Sequence, residues 1–383
     1  METDFSEIRP FNDAEASAAL AAISGIPEVA AISRFIFPDQ PPGTLGDILR
    51  DIKGVDDFQM RVMSKAVERI LETTAGEFSY SGVEYLKGFE DNGRKCLCLS
   101  NHRDIVLDPA ITQIVLFRSK LPETEIAVGD NLLSNPLAEN LIRSNRMIKV
   151  TRGVSPKELY HSSMLLSQYI RESITSSRAS IWLAQRQGRT KDGADCTEQG
   201  LIKMLEMSGS GDFARDFSEL DILPLSISYE IEPCGIEKAR EKLISRSGRY
   251  VKAEGEDMRS ILSGIMGQKG DIHMEFCRPL DKDEIGWAAS GERNERYRRI
   301  CHLVDERVIG AYRLRPFNYI ACDLLEGSSR HSGLYSAEDV ERFSAYLAHE
   351  LEKTGPELDK EALRDILLHI YSNPVTAKEN LAK

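Results

Sequence analysis

Short apolar runs alternate with segments of helical periodicity through the middle of the chain. The runs have the length of strands and lie at 95–99, 125–128, 147–150, 180–184, 222–228 and 272–277. Between them, apolar residues recur every three or four positions at 109–118, 136–142, 156–174, 197–207 and 255–266. Strands separated by helices favour crossover connections between parallel strands. The pattern therefore predicts an α/β fold with a largely parallel central sheet flanked by helices.

Helical patterns also lie on both sides of this alternation. Apolar positions between residues 45 and 74 recur three and four apart, which predicts a helical pair that ends near Gly76. Beyond residue 280 the chain is charged and helical, with segments near 290–312, 337–353 and 356–371. We therefore predict three parts, which are an N-terminal helical segment (1–75), an α/β domain (76–280) and a C-terminal helical extension (281–383).

Polar residues directly follow the first four apolar runs. Ligands of α/β sheets bind beyond the carboxyl ends of the strands, so the residues at these strand exits are the first candidates for a site. The exits carry Asn101 to Asp104, Gly129 to Asn131, Thr151 to Gly153, and Gln185 to Arg189. Each exit offers polar or basic groups, and three of the four include a glycine.

Composition and charge narrow the classes of function. Hydrophobic residues make up 41% and charged residues 29% of the chain, which is typical of globular proteins. Acidic residues outnumber basic ones 61 to 49, giving a net charge of −12. Because binding to phosphate backbones needs a positive face, we expect no nucleic-acid partner.

The cysteines and the apolar run lengths indicate where the protein works. Seven cysteines without repeating spacing do not suggest a disulfide framework. We therefore expect the protein to work in a reducing compartment, the cytoplasm. No run reaches the roughly 20 apolar residues that span a bilayer. We therefore expect a cytoplasmic protein whose membrane contact, if it has one, is peripheral at the inner face of the cell membrane.

His102 is the candidate general base, since an imidazole can take a proton near neutral pH when a carboxylate fixes its tautomer. Asp104 and Asp108 are both close enough in sequence to be its partner. Each also has an ordinary structural reading: Asp108 would be the N-cap of a helix beginning at Pro109, and Asp104 would hold a turn. The sequence leaves both readings open, with Asp108 the preferred partner.

Basic residues at two other exits predict an anion site. Arg152 and Arg189 could grip a phosphate, and Gly188 would give the ligand access to backbone amides. Asn101 is a further binding candidate, although a turn asparagine commonly bonds to its own backbone. The sequence has no serine elbow or Cys–His signature, so the base would activate a hydroxyl or amine of the substrate.

These exits resemble the motifs of the glycerophospholipid acyltransferases, the superfamily of glycerol-3-phosphate and lysophosphatidic acid acyltransferases. Ser100 to Asp108 is similar to the family's His-x4-Asp block, and the stretch from Gly129 to Gly153 is similar to its second block. Gln187 to Gly193 and Ile222 to Ile227 resemble its third and fourth blocks. The resemblance covers roughly residues 80 to 230.

This chain departs from the family pattern at two places. The aspartate of the first block falls one position late, at Asp108, and a four-residue spacing would instead reach Leu107. The glutamate of the third block is replaced by Gln187 or Arg186, depending on register. Both departures affect the loops expected to hold the base and the acceptor phosphate.

The resemblance implies an O-acyltransferase of phospholipid biosynthesis with a glycerol-3-phosphate acyltransferase-like fold. The histidine would deprotonate an acceptor hydroxyl, which attacks an acyl thioester, and the aspartate would orient the histidine. Its partners would be acyl-CoA or acyl carrier protein as donor, and a phosphate-bearing or lipid acceptor. We expect no metal and no bound cofactor. Two alternatives are a non-catalytic lipid or acyl-carrier-binding protein on the same fold, and a metal-dependent phosphohydrolase.

Overall fold

A seven-stranded sheet forms the centre of the computed structural model, which describes residues 3–133, 136–253 and 255–382. Its strands are β1 (Ala75–Ser81), β2 (Leu97–Ser100), β3 (Glu125–Gly129), β4 (Met147–Val150), β5 (Ile181–Ala184), β6 (Ile222–Tyr229) and β7 (Gly270–Phe276). Their spatial order is β1-β7-β6-β2-β5-β3-β4. The α/β class is thus confirmed, and all six predicted strands are present with ends displaced by a residue or two.

The sheet is parallel except at one edge. Strands β6, β2, β5, β3 and β4 run parallel to one another, whereas β7 is antiparallel to β6 and parallel to β1. The pattern of apolar runs did not predict β1, because this edge strand contains only exposed and half-buried residues and forms no apolar run. Gly76, predicted to end a helix, lies inside β1, two residues after the helix stops at Thr74.

Helices surround the sheet on both faces. The helices that precede β2 are α1 (Asp13–Ile23), α2 (Pro27–Ile36), α3 (Thr44–Asp51), α4 (Val55–Phe58), α5 (Ser64–Thr74) and α6 (Val83–Asp91), with a π-helical turn at Gln59–Met63. Those within the alternating region are α7 (Leu107–Arg118), α8 (Pro136–Arg143), α9 (Pro156–Thr175), α10 (Gln199–Glu206), α11 (Phe213–Ser218), α12 (Gly235–Ser245) and α13 (Glu256–Met266). Those that follow β7 are α14 (Lys282–Ala289), α15 (Glu295–Ala311), α16 (Pro316–Glu326), α17 (Ala337–Glu352) and α18 (Lys360–Leu381).

The central strands are buried on both faces. Leu97 and Leu99 of β2 pack into one core with α9, α10 and α15, whereas Cys98 of the same strand packs into the other core with α5 and α7. Successive side chains of a strand point to opposite faces, so this division follows from the pleat. It explains why the strand reads as a continuous apolar run.

The C-terminal helices pack on the end of the sheet where β6 finishes. Helices α16, α17 and α18 form a core of their own together with α12, which follows β6. The hydroxyl of Tyr371 in α18 accepts a 2.9 Å hydrogen bond from the backbone amide of Glu232. The extension therefore fixes the backbone just beyond the carboxyl end of β6.

Within the described residues, no single helix has the length and apolar composition to cross a bilayer; α1 and α2 meet both criteria only when taken together, and they are bent by 104° at their junction.

Candidate active site

Two neighbouring strand exits are joined into one structure at the carboxyl edge of the sheet. Strands β2 and β5 pair so that Ser100 lies opposite Ala184. Beyond them the amide of Gln185 donates to the carbonyl of Ser100 at 2.8 Å, and the amide of Thr190 donates to the carbonyl of His102 at 2.8 Å. The segment that contains Arg189 is therefore hydrogen-bonded directly to the backbone of His102.

His102 contacts a carboxylate that is completely buried. Its Nδ1 lies 2.9 Å from Oδ2 of Asp108. The same Oδ2 accepts the backbone amides of Arg103 at 2.6 Å and Asp104 at 2.9 Å. The other oxygen, Oδ1, accepts the hydroxyl of Tyr229 at 2.8 Å. Four donors thus fix the orientation of the Asp108 carboxylate.

The imidazole of His102 lies at the boundary between the interior and solvent. Its side chain is 12% exposed, and its Nε2 has no hydrogen-bond partner among the described residues. The ring meets the indole of Trp182 edge to face, with centroids 5.9 Å apart. A carboxylate on Nδ1 favours the tautomer with its proton there, which leaves Nε2 as the proton acceptor.

Asp104 forms a turn instead of contacting His102. Its Oδ1 accepts the backbone amides of Val106 at 2.9 Å and Leu107 at 2.8 Å, and its buried Oδ2 has no hydrogen-bond partner. Burial raises the pKa of Asp104, and the charge of Asp108 adds to this rise. In the structure Asp104 therefore holds the turn, which was its ordinary structural interpretation.

The loop geometry accommodates the shifted aspartate. Helix α7 begins at Leu107, two residues before the predicted start at Pro109, and Val106 occupies its N-cap position. The interpretation of Asp108 as an N-cap is therefore wrong, since Asp108 lies inside the first turn. From there its side chain points back to the backbone amides of the loop. The turn held by Asp104 contains the one residue that this chain has in addition to the family spacing.

Asn101 belongs to the framework of the loop. Its side chain is buried, donates to Oδ2 of Asp195 at 3.1 Å and to the carbonyl of Ile227 at 3.0 Å, and accepts the amide of Ile227 at 2.8 Å. These bonds tie the end of β2 to β6. These bonds support the alternative that Asn101 holds the loop, and its role in ligand binding stays a prediction.

Arg103, which sequence reasoning did not select, is the centre of a buried ionic network. Its guanidinium donates to Asp195 at 2.5 Å and Glu232 at 3.0 Å, and it stacks on Tyr312 at 4.8 Å. Lys238 donates to the other oxygen of Glu232 and to the carbonyl of Arg103, both at 2.6 Å. The network locks the loop that carries His102.

The third and fourth exits bring their arginines to the same region. Arg152 is half-buried, and its guanidinium lies beside Gly129, where a Cβ atom would come within 2.6 Å of Nε. Burial lowers the pKa of Arg152. Gly188 has a φ of +76° with nothing near its Cβ position, so the backbone turn requires its glycine.

Asp257, in the first turn of α13, connects the two arginines. It accepts hydrogen bonds from Asn131 at 3.0 Å and Lys252 at 2.5 Å. Burial by itself would raise the pKa of Asp257, but the hydrogen bonds from Lys252 and Asn131 lower it, and the charge of Arg189 adds a smaller effect. The charge of Asp257 also interacts with Arg152. Arg189 also acts on the carboxyl of Asp104. Arg189 therefore lies near the loop of His102, and Arg152 lies near Asp257.

Many buried polar atoms at this edge have no partner in the described structure. They are Nε1 of Trp182, both amide atoms of Gln185, Nε of Arg186, Nη1 of Arg189, Oδ2 of Asp104, Oδ1 of Asp195 and Nε of Arg103. Unpaired buried polar groups are costly and rare in native proteins. Their concentration here is typical of a site that binds a polar ligand or ordered water.

Tyr229 and Arg103 are two residues of the candidate site that the predicted site residues did not include. Tyr229 directly follows the fifth predicted strand run, so the rule that drew attention to strand exits would have selected it. Arg103 lies in the first strand exit, but its sequence position did not indicate a buried ionic network, because an arginine beside the candidate base is also typical of a solvent-facing group. In the described part of the chain, no three His, Cys, Asp or Glu side chains are arranged to hold a metal ion.

Residues 77–228 match the family model described as Acyltransferase. The match runs from β1 to β6 and includes the loops of His102, Arg152 and Arg189. The match confirms the resemblance of this segment to the glycerophospholipid acyltransferases that its motifs predicted, and it supports acyltransferase activity in general. A search of curated proteins finds no match.

Proposed function

We propose that the protein is an O-acyltransferase that moves a fatty acyl group from an acyl thioester to a hydroxyl of a glycerol phosphate, a lysophospholipid or a related lipid precursor. The observation that supports this most directly is the 2.9 Å contact between His102 and Asp108, with Nε2 of the imidazole left open at the mouth of the site. A base without a protein nucleophile beside it suits the activation of a substrate hydroxyl.

In the proposed reaction, Nε2 of His102 takes the proton of the acceptor hydroxyl as its oxygen attacks the thioester carbonyl carbon. The new carbon–oxygen bond forms, the carbon–sulfur bond breaks, and the imidazolium returns the proton to the leaving thiolate. Asp108 stabilises the imidazolium through Nδ1. The products are an ester and a free thiol, so the base is regenerated in each turnover.

Arg152 and Arg189 are the proposed contacts for the negative head of the acceptor. Guanidinium groups bind phosphate in a bidentate manner, and the unpaired Nη1 of Arg189 is a donor without a protein acceptor. Gly188 leaves the backbone of the same loop uncovered. An acceptor phosphate held here would lie beside the His102 loop, which is the position that general base catalysis requires.

The proposal includes the partners expected from the sequence. The donor is acyl-CoA or acyl carrier protein, used as a co-substrate, and no prosthetic group is required. We further propose that the protein is cytoplasmic and that, with a lipid acceptor, it contacts the inner face of the cell membrane peripherally. Neither donor is favoured by an observation on this chain, so both belong in the test.

The test supplies purified protein with palmitoyl-CoA or palmitoyl-acyl carrier protein and a panel of glycerol phosphate and lysolipid acceptors. Free thiol and ester product are measured together. We expect acceptor-dependent release of both in equal amounts, and a loss of about 10²–10⁴-fold in His102→Ala. His161→Ala, at an exposed histidine of α9, serves as the matched control and should keep full activity.

Three outcomes would contradict the proposal. Turnover that persists in His102→Ala would remove the base, and thiol release without ester would indicate a thioesterase. Binding of acyl thioester without turnover for any acceptor would favour the alternative of a non-catalytic lipid or acyl-carrier-binding protein.

A further inference from the structure

The C-terminal helix α18 contacts the loop that follows β5. The side-chain amide of Asn373, in α18, donates a 2.7 Å hydrogen bond to the backbone carbonyl of Asp192. A Cβ atom at Gly193 would lie 2.0 Å from the carbonyl oxygen of Ile370, so the backbones of loop and helix are in direct contact. Helix α18 lies outside residues 77–228, the segment that matches the Acyltransferase model. The extension therefore reaches a loop of the candidate site.

A proline and a glycine lie at this point of contact. Pro374 is inside α18 and has no N–H group, so the carbonyl of Ile370, four residues earlier, lacks its usual helical donor. The same carbonyl faces Gly193, whose φ of +75° is a conformation that other residues rarely adopt. The sequence thus places a break in the helix ladder and a residue without a side chain where helix and loop meet.

The same loop is bonded to the segment of the candidate base. Thr190, which is completely buried, donates its amide to the carbonyl of His102 at 2.8 Å and its hydroxyl to Asp192 at 3.2 Å. The carbonyl of Gly193 accepts a hydrogen bond from the guanidinium of Arg103 at 3.1 Å. The loop therefore connects α18 to the backbone that carries the base.

Arg189 lies directly before this bonded segment, at the start of the loop. Its Nη1 is buried and has no partner in the described structure. Because the backbone from 190 to 193 is held by α18 at one end and by the His102 loop at the other, the position of the Arg189 guanidinium depends on both contacts. A donor that is already fixed loses less entropy when a ligand binds.

We propose that α18 positions the anion site, because Asn373 and the contact of Gly193 with Ile370 hold the loop in which Arg189 is preorganised for an anionic acceptor. Asn373 is a positioning residue, since it acts through the loop. A loop freed from α18 has to be ordered during binding, which lowers affinity. The inference rests on the proposed function for the nature of the acceptor. It adds that affinity for anionic acceptors depends on the C-terminal extension.

The test compares the binding of phosphate-bearing probes by the wild type and by Asn373→Ala. Isothermal titration with inorganic phosphate and with glycerol 3-phosphate is done without thioester, so it does not depend on turnover. We expect Kd to rise about five- to ten-fold in the variant, since a hydrogen bond that holds the loop is lost. In steady-state assays KM for the anionic acceptor should rise by a similar factor, while kcat and KM for the thioester stay unchanged.

Two control variants separate this role from a loss of stability. Asn318→Ala removes a 2.8 Å hydrogen bond from α16 to the carbonyl of Tyr371 in α18, which does not involve the loop. It should lose at least as much unfolding free energy in urea as Asn373→Ala and keep the Kd of the wild type. Gly193→Ala forces loop and helix apart and should raise Kd further. Gly327→Ala has a similar φ of +61° with nothing near its Cβ position, and it should not raise Kd.

Three results would overturn the inference: an unchanged Kd in Asn373→Ala, an equal rise in Asn318→Ala, or a wild type that binds neither probe. An equal rise would mean that any loosening of the extension weakens binding, with no special role for the loop contact. If the probes bind and Asn373→Ala weakens them, but no acceptor is acylated, the proposed function alone is contradicted.

Discussion

The hydroxyl of Tyr229 donates a 2.8 Å hydrogen bond to Oδ1 of Asp108, whose other oxygen contacts His102 at 2.9 Å. Tyr229 ends β6, and Asp108 lies in the first turn of α7. The bond therefore fixes the helix that carries the carboxylate to β6, the neighbour of β2 in the sheet. The His102 imidazole takes its orientation from this relationship.

Removal of the Tyr229 hydroxyl should slow the proposed reaction. In Tyr229→Phe a buried carboxylate oxygen loses its donor, which costs about 1–2 kcal/mol and should lower kcat about five- to thirty-fold. Tyr169→Phe is the matched control, since its hydroxyl donates to Glu125 at 2.8 Å in another part of the core. The control should lose similar stability in urea unfolding and keep its kcat; equal kcat losses would show that Tyr229 acts only through stability.

The two aspartates of the loop should respond differently to the same substitution. Asp108→Asn changes the group in contact with His102 and should lower kcat about 10²–10⁴-fold. Asp104→Asn keeps an oxygen that can accept the Val106 and Leu107 amides, so kcat should fall by less than about ten-fold. Steady-state kinetics of both variants decides this, and a greater loss in Asp104→Asn would reverse the assignment.

A methyl group at Gly129 should weaken binding of an anionic acceptor. In Gly129→Ala the added Cβ would lie 2.6 Å from Nε of Arg152, so the guanidinium must move. We expect KM for the acceptor to rise about ten-fold with little change in kcat, because ground-state binding is lost. Gly88→Ala, where nothing lies near the Cβ position in α6, should leave KM unchanged. A lower kcat at constant KM would contradict this role for Arg152.

The ionic network around Arg103 should be essential for stability. Arg103→Ala leaves Asp195 and Glu232 buried with one cation fewer, which should cost about 3–5 kcal/mol in urea unfolding. Arg94→Ala removes a pair with Asp221 in which the arginine is 55% exposed, and it should cost about 0–1 kcal/mol. Equal losses of unfolding free energy in the two variants would mean that the burial of the network does not increase its contribution to stability.

Glu123 should make the stability depend on pH. Burial raises the pKa of Glu123 from 4.5 to about 7. Because the folded-state value is the higher one, its stabilising contribution is complete below pH 4.5 and is lost as the pH rises through about 7. Glu123→Gln should therefore gain stability relative to the wild type between about pH 5 and pH 8, by about 2 kcal/mol.

The comparison for this prediction is Glu84→Gln, at an exposed site of α6. Its unfolding free energy relative to the wild type should stay constant over the same pH range. If the Glu123 and Glu84 variants follow the same pH profile, the buried carboxyl is not the cause.

The sequence by itself determined the α/β class, the positions of the six apolar strands and the strand exits that form the candidate site. It could do so because central parallel strands are buried on both faces and must be apolar throughout, while ligands bind at their carboxyl ends. The family resemblance came from the same exit residues, since their types and order are visible without a fold.

Only the tertiary structure decided how those residues meet. It brought Asp108, and not Asp104, to His102, because helix α7 begins two residues before Pro109 and Tyr229 arrives from a distant strand. In the structure Asn101 bonds to the protein framework, and Arg103 joins residues that are far apart in sequence. The structure also contains β1, which has no apolar run. These outcomes depend on contacts between residues far apart in sequence, and a local pattern of apolar and polar positions contains no information about such distances.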